Sequence, residues 1–333
     1  MKKLCLMFTL MFTVVLAACG SELAQEDVVD KLSQHLEDAD SYYATGIMDV
    51  DSNGELYSYN VEIAYQQPNY YKVTLKNDTT NSEQIILKND EGVYVLTPAL
   101  NKQFRFQSDW PLSSSQVYLY QSVLKDILGD ETASFESTEE AYSFTTAANY
   151  HGNRELVEQK ITFDKKDLLP TEVLVMDESS EARIKMAFTS FNWNEKFAEG
   201  FFDCQQTMSY SQDNLGEGVV SSVSSAVTPA YVPDGTKLVN EQVEAVDGGD
   251  RIVMTFDGEK GFTILQQPVT VTETVEVESL YGEPMMVNGT IVAMSEDSIT
   301  WIDGATEFII VSDNLNHDEL LSVYESMNTT IAK

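Results

Sequence analysis

The sequence predicts an α+β protein that is mainly β, and three observations carry that expectation. Between Tyr42 and Trp193 apolar residues recur with a period of two in short segments rich in β-branched and aromatic side chains. Only two stretches before position 200, residues 25–40 and 116–129, change to the helical period. A second run of short strands follows residue 229 and ends in one more helical stretch. The formal net charge of −34 would suit a disordered chain, but 43% hydrophobic and 10% aromatic content supplies a core.

The chain opens with Met1-Lys2-Lys3 and an apolar run from Leu4 to Ala18, the parts of a secretory signal. This run is too short to span a ~30 Å hydrocarbon core as a helix. Small residues precede Cys19 in Leu16-Ala17-Ala18-Cys19, a spacing that resembles the lipobox of bacterial lipoproteins. The resemblance implies that residues 1–18 are removed and that Cys19 carries a covalent diacylglycerol. Two acyl chains give stable anchoring, each buried CH₂ contributing ~0.8 kcal/mol. The expected location is the outer face of the cytoplasmic membrane in a Gram-positive cell envelope, with residues 19–24 as a lipidated tether.

Residues 25–40 place Val28, Val29, Leu32, Leu36 and Ala39 on one helical face. Strands are expected at 47–51, 55–65, 70–76, 82–88, 92–97 and 102–107, with Asn53-Gly54 and 89–92 as hairpin turns. A helix over 116–129 would bury Val117, Leu119, Tyr120, Val123, Leu124, Ile127 and Leu128, with Gly129 ending it. Strands at 141–148, 154–164, 171–178 and 181–193 form a second meander. Residues 209–228, rich in Ser and Gly, read as an interdomain linker. This bounds a first domain at 25–208 and a smaller α+β domain at 229–333. In the latter, strands near 236–246, 250–257, 261–267, 286–294, 298–302 and 306–311 precede a helix over 317–327. Asn316 or Asp318 would cap that helix, with Leu320, Leu321, Tyr324 and Met327 inward.

Chemistry has few footholds. Asp49-Val50-Asp51-Ser52-Asn53-Gly54 fits the first half of a calcium loop, but the twelfth position is Asn60 and the flanks alternate as strands. A polar hairpin tip is the expected reading. His35, His151 and His317 lie more than 100 residues apart with no metal-ligand spacing, so no metal site is expected. Cys204, left alone once Cys5 and Cys19 are accounted for, is expected to be a buried and inert thiol. No catalytic motif is present, and the protein is read as a non-enzyme without a cofactor beyond the lipid on Cys19. Loss of Lys2 and Lys3 with the leader takes the charge from −34 to −36. A surface of that sign repels phosphates, which excludes nucleic acid as an electrostatic partner.

The aromatic strands admit two readings: an ordinary core, or the wall of a cavity for an apolar ligand. Four landmarks bear on the choice. They are Tyr65-Gln66-Gln67-Pro68-Asn69-Tyr70-Tyr71, the hairpin from Leu87 to Pro98, Leu168-Leu169-Pro170, and the closing segment Phe188–Phe202 with Asn192. In this order they resemble the LolA-like family of lipoprotein carriers and their membrane-anchored Gram-positive relatives. The resemblance implies an unclosed antiparallel β-barrel with covering helices and a hydrophobic cavity for acyl chains. Tyr65, Tyr71, Tyr94, Phe104, Phe106, Trp110 and Leu124 are its expected lining. Where soluble carriers have an Arg bonded to the lid, this chain has Gln67, which cannot supply charge-assisted bonds. The gated capture-and-release cycle is therefore not expected.

Residues 229–333 resemble a small domain of unknown function found after Gram-positive lipoproteins and membrane-anchored regulators. The match rests on Pro229-Ala230-Tyr231-Val232-Pro233-Asp234-Gly235, on 262–267 and on Trp301 to Met327. Two functions follow as expectations. One is a tethered protein that binds a lipid or lipoprotein acyl chain. The other is a scaffold that docks an envelope or sporulation protein without transport.

Overall fold

The computed structural model describes residues 23–52, 54–80, 82–111, 115–150, 156–214, 226–269, 276–287 and 289–331. The signal and lipobox expectations for Leu16, Ala17, Ala18 and Cys19 lie outside the described residues, as do Asn53 and His151. Helix α1 (Gln25–Asp38) leads into strands β1 (Ser41–Ser52), β2 (Glu55–Gln66), β3 (Tyr70–Asn77), β4 (Ser82–Asn89), β5 (Gly92–Thr97) and β6 (Lys102–Gln107). Helix α2 (Tyr120–Gly129) is followed by β7 (Ser134–Ser137), β8 (Ala141–Ala147), β9 (Leu156–Asp164), β10 (Pro170–Asp177) and β11 (Ala182–Trp193). Helix α3 spans Cys204–Asn214. The remainder comprises β12 (Lys237–Val246), β13 (Gly249–Asp257), β14 (Phe262–Pro268), β15 (Glu276–Tyr281), β16 (Glu283–Val287), β17 (Thr290–Met294), β18 (Ser298–Asp303), β19 (Thr306–Val311) and helix α4 (His317–Ile331).

The first sheet runs β15-β6-β5-β4-β3-β2-β1-β11-β10-β9-β8-β7 and does not close on itself, an unclosed barrel. Its two meanders become one sheet because β1 pairs antiparallel with β11, joining Tyr42 to Trp193 across the chain. The register of that pair shifts between Thr45 and Gly46. Glycine is required there, since a Cβ on Gly46 would lie 2.5 Å from the Ala187 carbonyl oxygen. Helices α1 and α2 cross the concave face, burying Val28, Leu32, Val123, Leu124 and Ile127 with the strand residues below. The second sheet runs β12-β13-β14-β19-β18-β17-β16 and packs on α4 through Leu320, Leu321, Tyr324 and Met327. Asn316 caps α4: its Oδ1 accepts from the Glu319 N–H at 3.0 Å, and Glu319 Oε2 accepts from the Asn316 N–H at 3.1 Å.

Several elements differ from expectation; β1 begins at Ser41, ahead of the expected 47, and β7 is an additional strand. The helix expected from 116 begins at Tyr120, with Val117 and Leu119 buried ahead of it and the Gln116 N–H donating to Ser122 Oγ at 2.7 Å. Leu128, expected inward, is 59% exposed. The stretch expected as one strand at 286–294 belongs to the hairpin β16–β17. The expected linker is helical to Asn214, because Cys204 and Met208 bury against Tyr94, Leu87 and Leu96 on the outer face of the first sheet. At the linker's other end, Val227 belongs to the second core, its N–H donating to Gln266 Oε1 at 2.9 Å.

The two units also interlock. Strand β15, unanticipated, leaves the second unit to pair parallel with β6, placing Leu280 beside Phe106. Ile291 and Ala293 of β17 enter the first core, and the Ile291 N–H donates to Gln84 Oε1 at 3.2 Å. Gly289, at φ +76°, lies where any side chain would collide with Tyr59. Replacing Gly289 with Leu should therefore cost about 1–3 kcal/mol by overpacking and by backbone strain. Chemical denaturation should register this as a lowered midpoint, and a wild-type midpoint would show that the hairpin does not seat against β2.

Candidate functional site

The concave face is built by register. Strand pairing sets Trp193 beside Tyr42, Tyr42 beside Tyr65 and Tyr65 beside Tyr71. The same row continues through Lys88, Val93 and Phe106 to Leu280. With side chains alternating across the sheet, all of these point to one face. Their rings are in contact: Tyr42–Tyr65 centroids lie 5.3 Å apart, Tyr65–Tyr71 5.0 Å and Tyr71–Trp110 5.8 Å. Phe191 stacks on Tyr42 at 5.0 Å and meets Trp193 at 4.7 Å.

Helix α2 lays Tyr120 over this row. Its ring meets Trp193 edge-on at 5.0 Å, and its hydroxyl donates to the Leu32 carbonyl oxygen of α1 at 3.0 Å. Tyr42 Oη donates to Gln121 Oε1 at 2.8 Å, so the same row also pins the helix by a hydrogen bond. Burial raises the phenol pKa values of Tyr42, Tyr71, Tyr118 and Tyr120, and all four stay neutral donors at ordinary pH. Desolvation lowers the pKa of Lys88, whose ammonium donates to the Trp110 carbonyl. Beneath α2, Gln159 Nε2 donates to Asp126 Oδ2 at 2.8 Å, and Tyr150 Oη donates to Gln159 Oε1 at 3.0 Å. Burial raises the Asp126 pKa.

Of the seven residues expected to line a cavity, Tyr65, Tyr71, Phe104, Phe106, Trp110 and Leu124 come together in this core. Tyr94 does not. Its β4 partner is Leu87, which puts it on the outer face with Cys204 and Met208. The six that converge are all less than 8% exposed, packed on one another and on the helices. One cleft of about 20 Å³ lies behind Phe104 and Phe106, and a second of about 60 Å³ lies away from the row, among Val117, Tyr118, Tyr150, Met285 and Met286. The larger has room for only a few atoms, far below the 300–1,000 Å³ typical of ligand pockets. Sequence reasoning missed the β17 residues Ile291 and Ala293, which help fill this space from the second unit. Their strand was legible, but its destination was not.

The remaining expectations resolve as follows. Gln67 Nε2 donates to the Ala39 carbonyl at 2.9 Å and the Gln67 N–H to the Asp40 carbonyl at 2.8 Å, tying the exit of α1 to the β2–β3 turn. Asp51 Oδ1 accepts from the Gly54 N–H at 3.0 Å and Asp49 Oδ1 from Ser58 Oγ at 2.7 Å, the bonding of a hairpin tip. Among the described residues no group of three His, Cys, Asp or Glu side chains could hold a metal ion. His35 packs edge-on against Trp193, and His317 opens α4. Cys204 is buried, and burial pushes its thiol up to about 12. No helix among the described residues is long and apolar enough to cross a membrane.

A mainly β, unclosed barrel with its helices locked onto the concave face defines the class, and sequence comparison supplies the family. The family model described as "Sporulation protein YdcC-like" matches residues 1–202. "Sporulation protein YdcC" of Bacillus subtilis (strain 168) is 39% identical over 339 residues, covering 100% of both chains. The chain belongs to the sporulation protein YdcC-like family. Among solved structures, the MucA/MucB complex of Pseudomonas aeruginosa is similar at 14% identity and a TM-score of 0.33, covering 90% of this chain and 97% of that one. A LolA superfamily protein from Nitrosomonas europaea is similar at 11% identity and a TM-score of 0.31, covering 56% of this chain and 100% of that one.

Two outcomes follow from the packing. Tyr120→Phe, which removes only the bond to Leu32, should cost about 1 kcal/mol, whereas Tyr42→Ala should cost about 3–5 kcal/mol. Equal, small losses in urea titrations would show a loosely filled face. In a chain lacking Cys5 and Cys19, Cys204 should resist Ellman's reagent at pH 8 and react fully in denaturant, because the protonated thiol persists well past that pH. Rapid native reaction would place it in a mobile segment.

Proposed function

We propose that the protein is a non-enzymatic scaffold, held on the outer face of the cytoplasmic membrane by a diacylglycerol on Cys19, that docks a protein partner during sporulation. The observation that carries the reading is the filled concave face. The six converging residues that would line a cavity contact one another and the helices instead, so an acyl chain would have to displace Tyr120 and both helices. Gln67 supports it from the other side. Its neutral amide holds the β2–β3 turn to the exit of α1 through the Ala39 carbonyl and lacks the charge of a gate. The sporulation setting comes from the family and from the name of the Bacillus relative. The tether, residues 19–24 before α1, would let the body work within roughly 20 Å of the membrane.

Chain carrying Cys19→Ser and purified without detergent should give the bare polypeptide mass by native mass spectrometry. A stoichiometric acyl or phospholipid adduct would contradict the scaffold and restore the carrier. In cells, Cys19→Ala should move the protein from the membrane fraction to the medium. Retention on the membrane would remove the anchor from the account.

A further inference from the structure

Each sheet has two edges, and the fold treats them differently. In the first sheet, β7 is four residues long, and Lys165 Nζ ties its end by donating to Ser137 Oγ at 2.9 Å. At the other end β15 already covers β6. In the second sheet, β16 is five residues long and carries Pro284. The remaining edge, β12, is ten residues long, contains no proline, and is exposed at every residue but Val246. Long open edges of this kind invite another strand and are ordinarily blunted by proline, lysine or bulges. Here the one bulge, between Leu238 and Asn240, leaves a regular pairing run from Asn240 to Val246.

The side chains on that edge are also unfinished. Leu238 stands opposite Phe256, and Val243 opposite Ile252, on the face that forms the second core. Yet Leu238 is 42% and Val243 59% exposed, with no further strand beside them among the described residues. Glu241 interrupts this apolar face, and Glu244 lies on the other, 72% exposed and 3.8 Å from Arg251 of β13. Asp247 and Asp250 stand at the hairpin end, and Lys237 is the one cation in the strand.

We infer that β12 is a docking edge that takes an extended segment of a basic protein, one in which aliphatic residues alternate with Lys or Arg. Main-chain bonds to the open edge supply affinity, and the pattern of Leu238, Glu241, Val243 and Glu244 supplies selection. The aliphatic side chains extend the stripe begun by Phe256 and Ile252, while the cations meet Glu241 and the exposed side of Glu244, whose long 3.8 Å pair with Arg251 leaves it open to a second cation. A second copy of this chain is the poorer occupant, because antiparallel pairing of β12 with itself sets like carboxylates side by side in a protein of net charge −34. The inference rests on the scaffold reading and names the partner's chemistry.

The test uses the full mature chain with Cys19→Ser and a fluorescent peptide of about ten residues alternating lysine and valine. Saturable binding is expected by anisotropy, with added hydrogen-exchange protection on residues 240–246. E241K/E244K should weaken it at least tenfold. E139K/E140K, which changes the net charge equally on the distant β7–β8 turn, should change it less than twofold. No binding, equal weakening by both double variants, or no new protection on β12 would each overturn the proposal, as would a dimer dissolved by Val243→Lys. A photocrosslinker placed at Val243 or at the exposed Leu56 in sporulating cells separates the two levels. A partner captured at Leu56 and not at Val243 overturns the β12 edge and leaves the scaffold standing. The absence of any saturable partner overturns the scaffold itself.

Discussion

The structure depends on one in-register row of rings. Trp193, Tyr42, Tyr65 and Tyr71 stand side by side on β11, β1, β2 and β3, and the helices are held to them by Tyr120 and Gln121. Aromatic pairs in such geometry contribute ~0.5–1.5 kcal/mol each beyond the area they bury. The row does more than stabilise. Because β1 must meet β11 for Trp193 to reach Tyr42, it couples the two meanders into a single sheet, and because it fills the concavity it decides what the barrel can hold.

The second unit follows from the same constraint. A curved sheet with an edge at β6 and an open end near Tyr59 would leave apolar surface uncovered. Strand β15 covers the edge and the β16–β17 hairpin seats against Tyr59 and Gln84, so Ile291 and Ala293 complete the first core. This mutual dependence makes the chain a body with its own side chains for cargo. On the proposed scaffold reading, its working surfaces lie outside, on a strongly acidic exterior.

Much of this was legible in the sequence because it is local. Period-two patterning locates the six strands of the first meander and helical spacing the inward faces of α1 and α4, and of the two cap candidates Asn316 and Asp318 the structure takes Asn316. What escaped was set by distant partners. The aromatic pattern groups Tyr94 with Tyr65 and Tyr71, but pattern alone does not say which face of a sheet is concave, and its pairing with Leu87 turns it outward. Helix α3 is hidden in a Ser-rich stretch because its anchors, Cys204 and Met208 with Gln212 donating to Asn101 Oδ1, meet a surface no local pattern reveals. The parallel register of β15 on β6 joins residues more than 170 positions apart, and no propensity encodes that. The fullness of the concavity is likewise a sum over the whole fold.

Helices α1 and α2 are packed as permanent parts of the core. Native-state hydrogen exchange of the amides in residues 28–36 and 123–127, with and without added phospholipid acyl chains, measures this directly. The filled face predicts exchange only through global unfolding, at the same rate in lipid. Opening of the two helices well below the global free energy, suppressed by lipid, would contradict it and make the concavity a binding site.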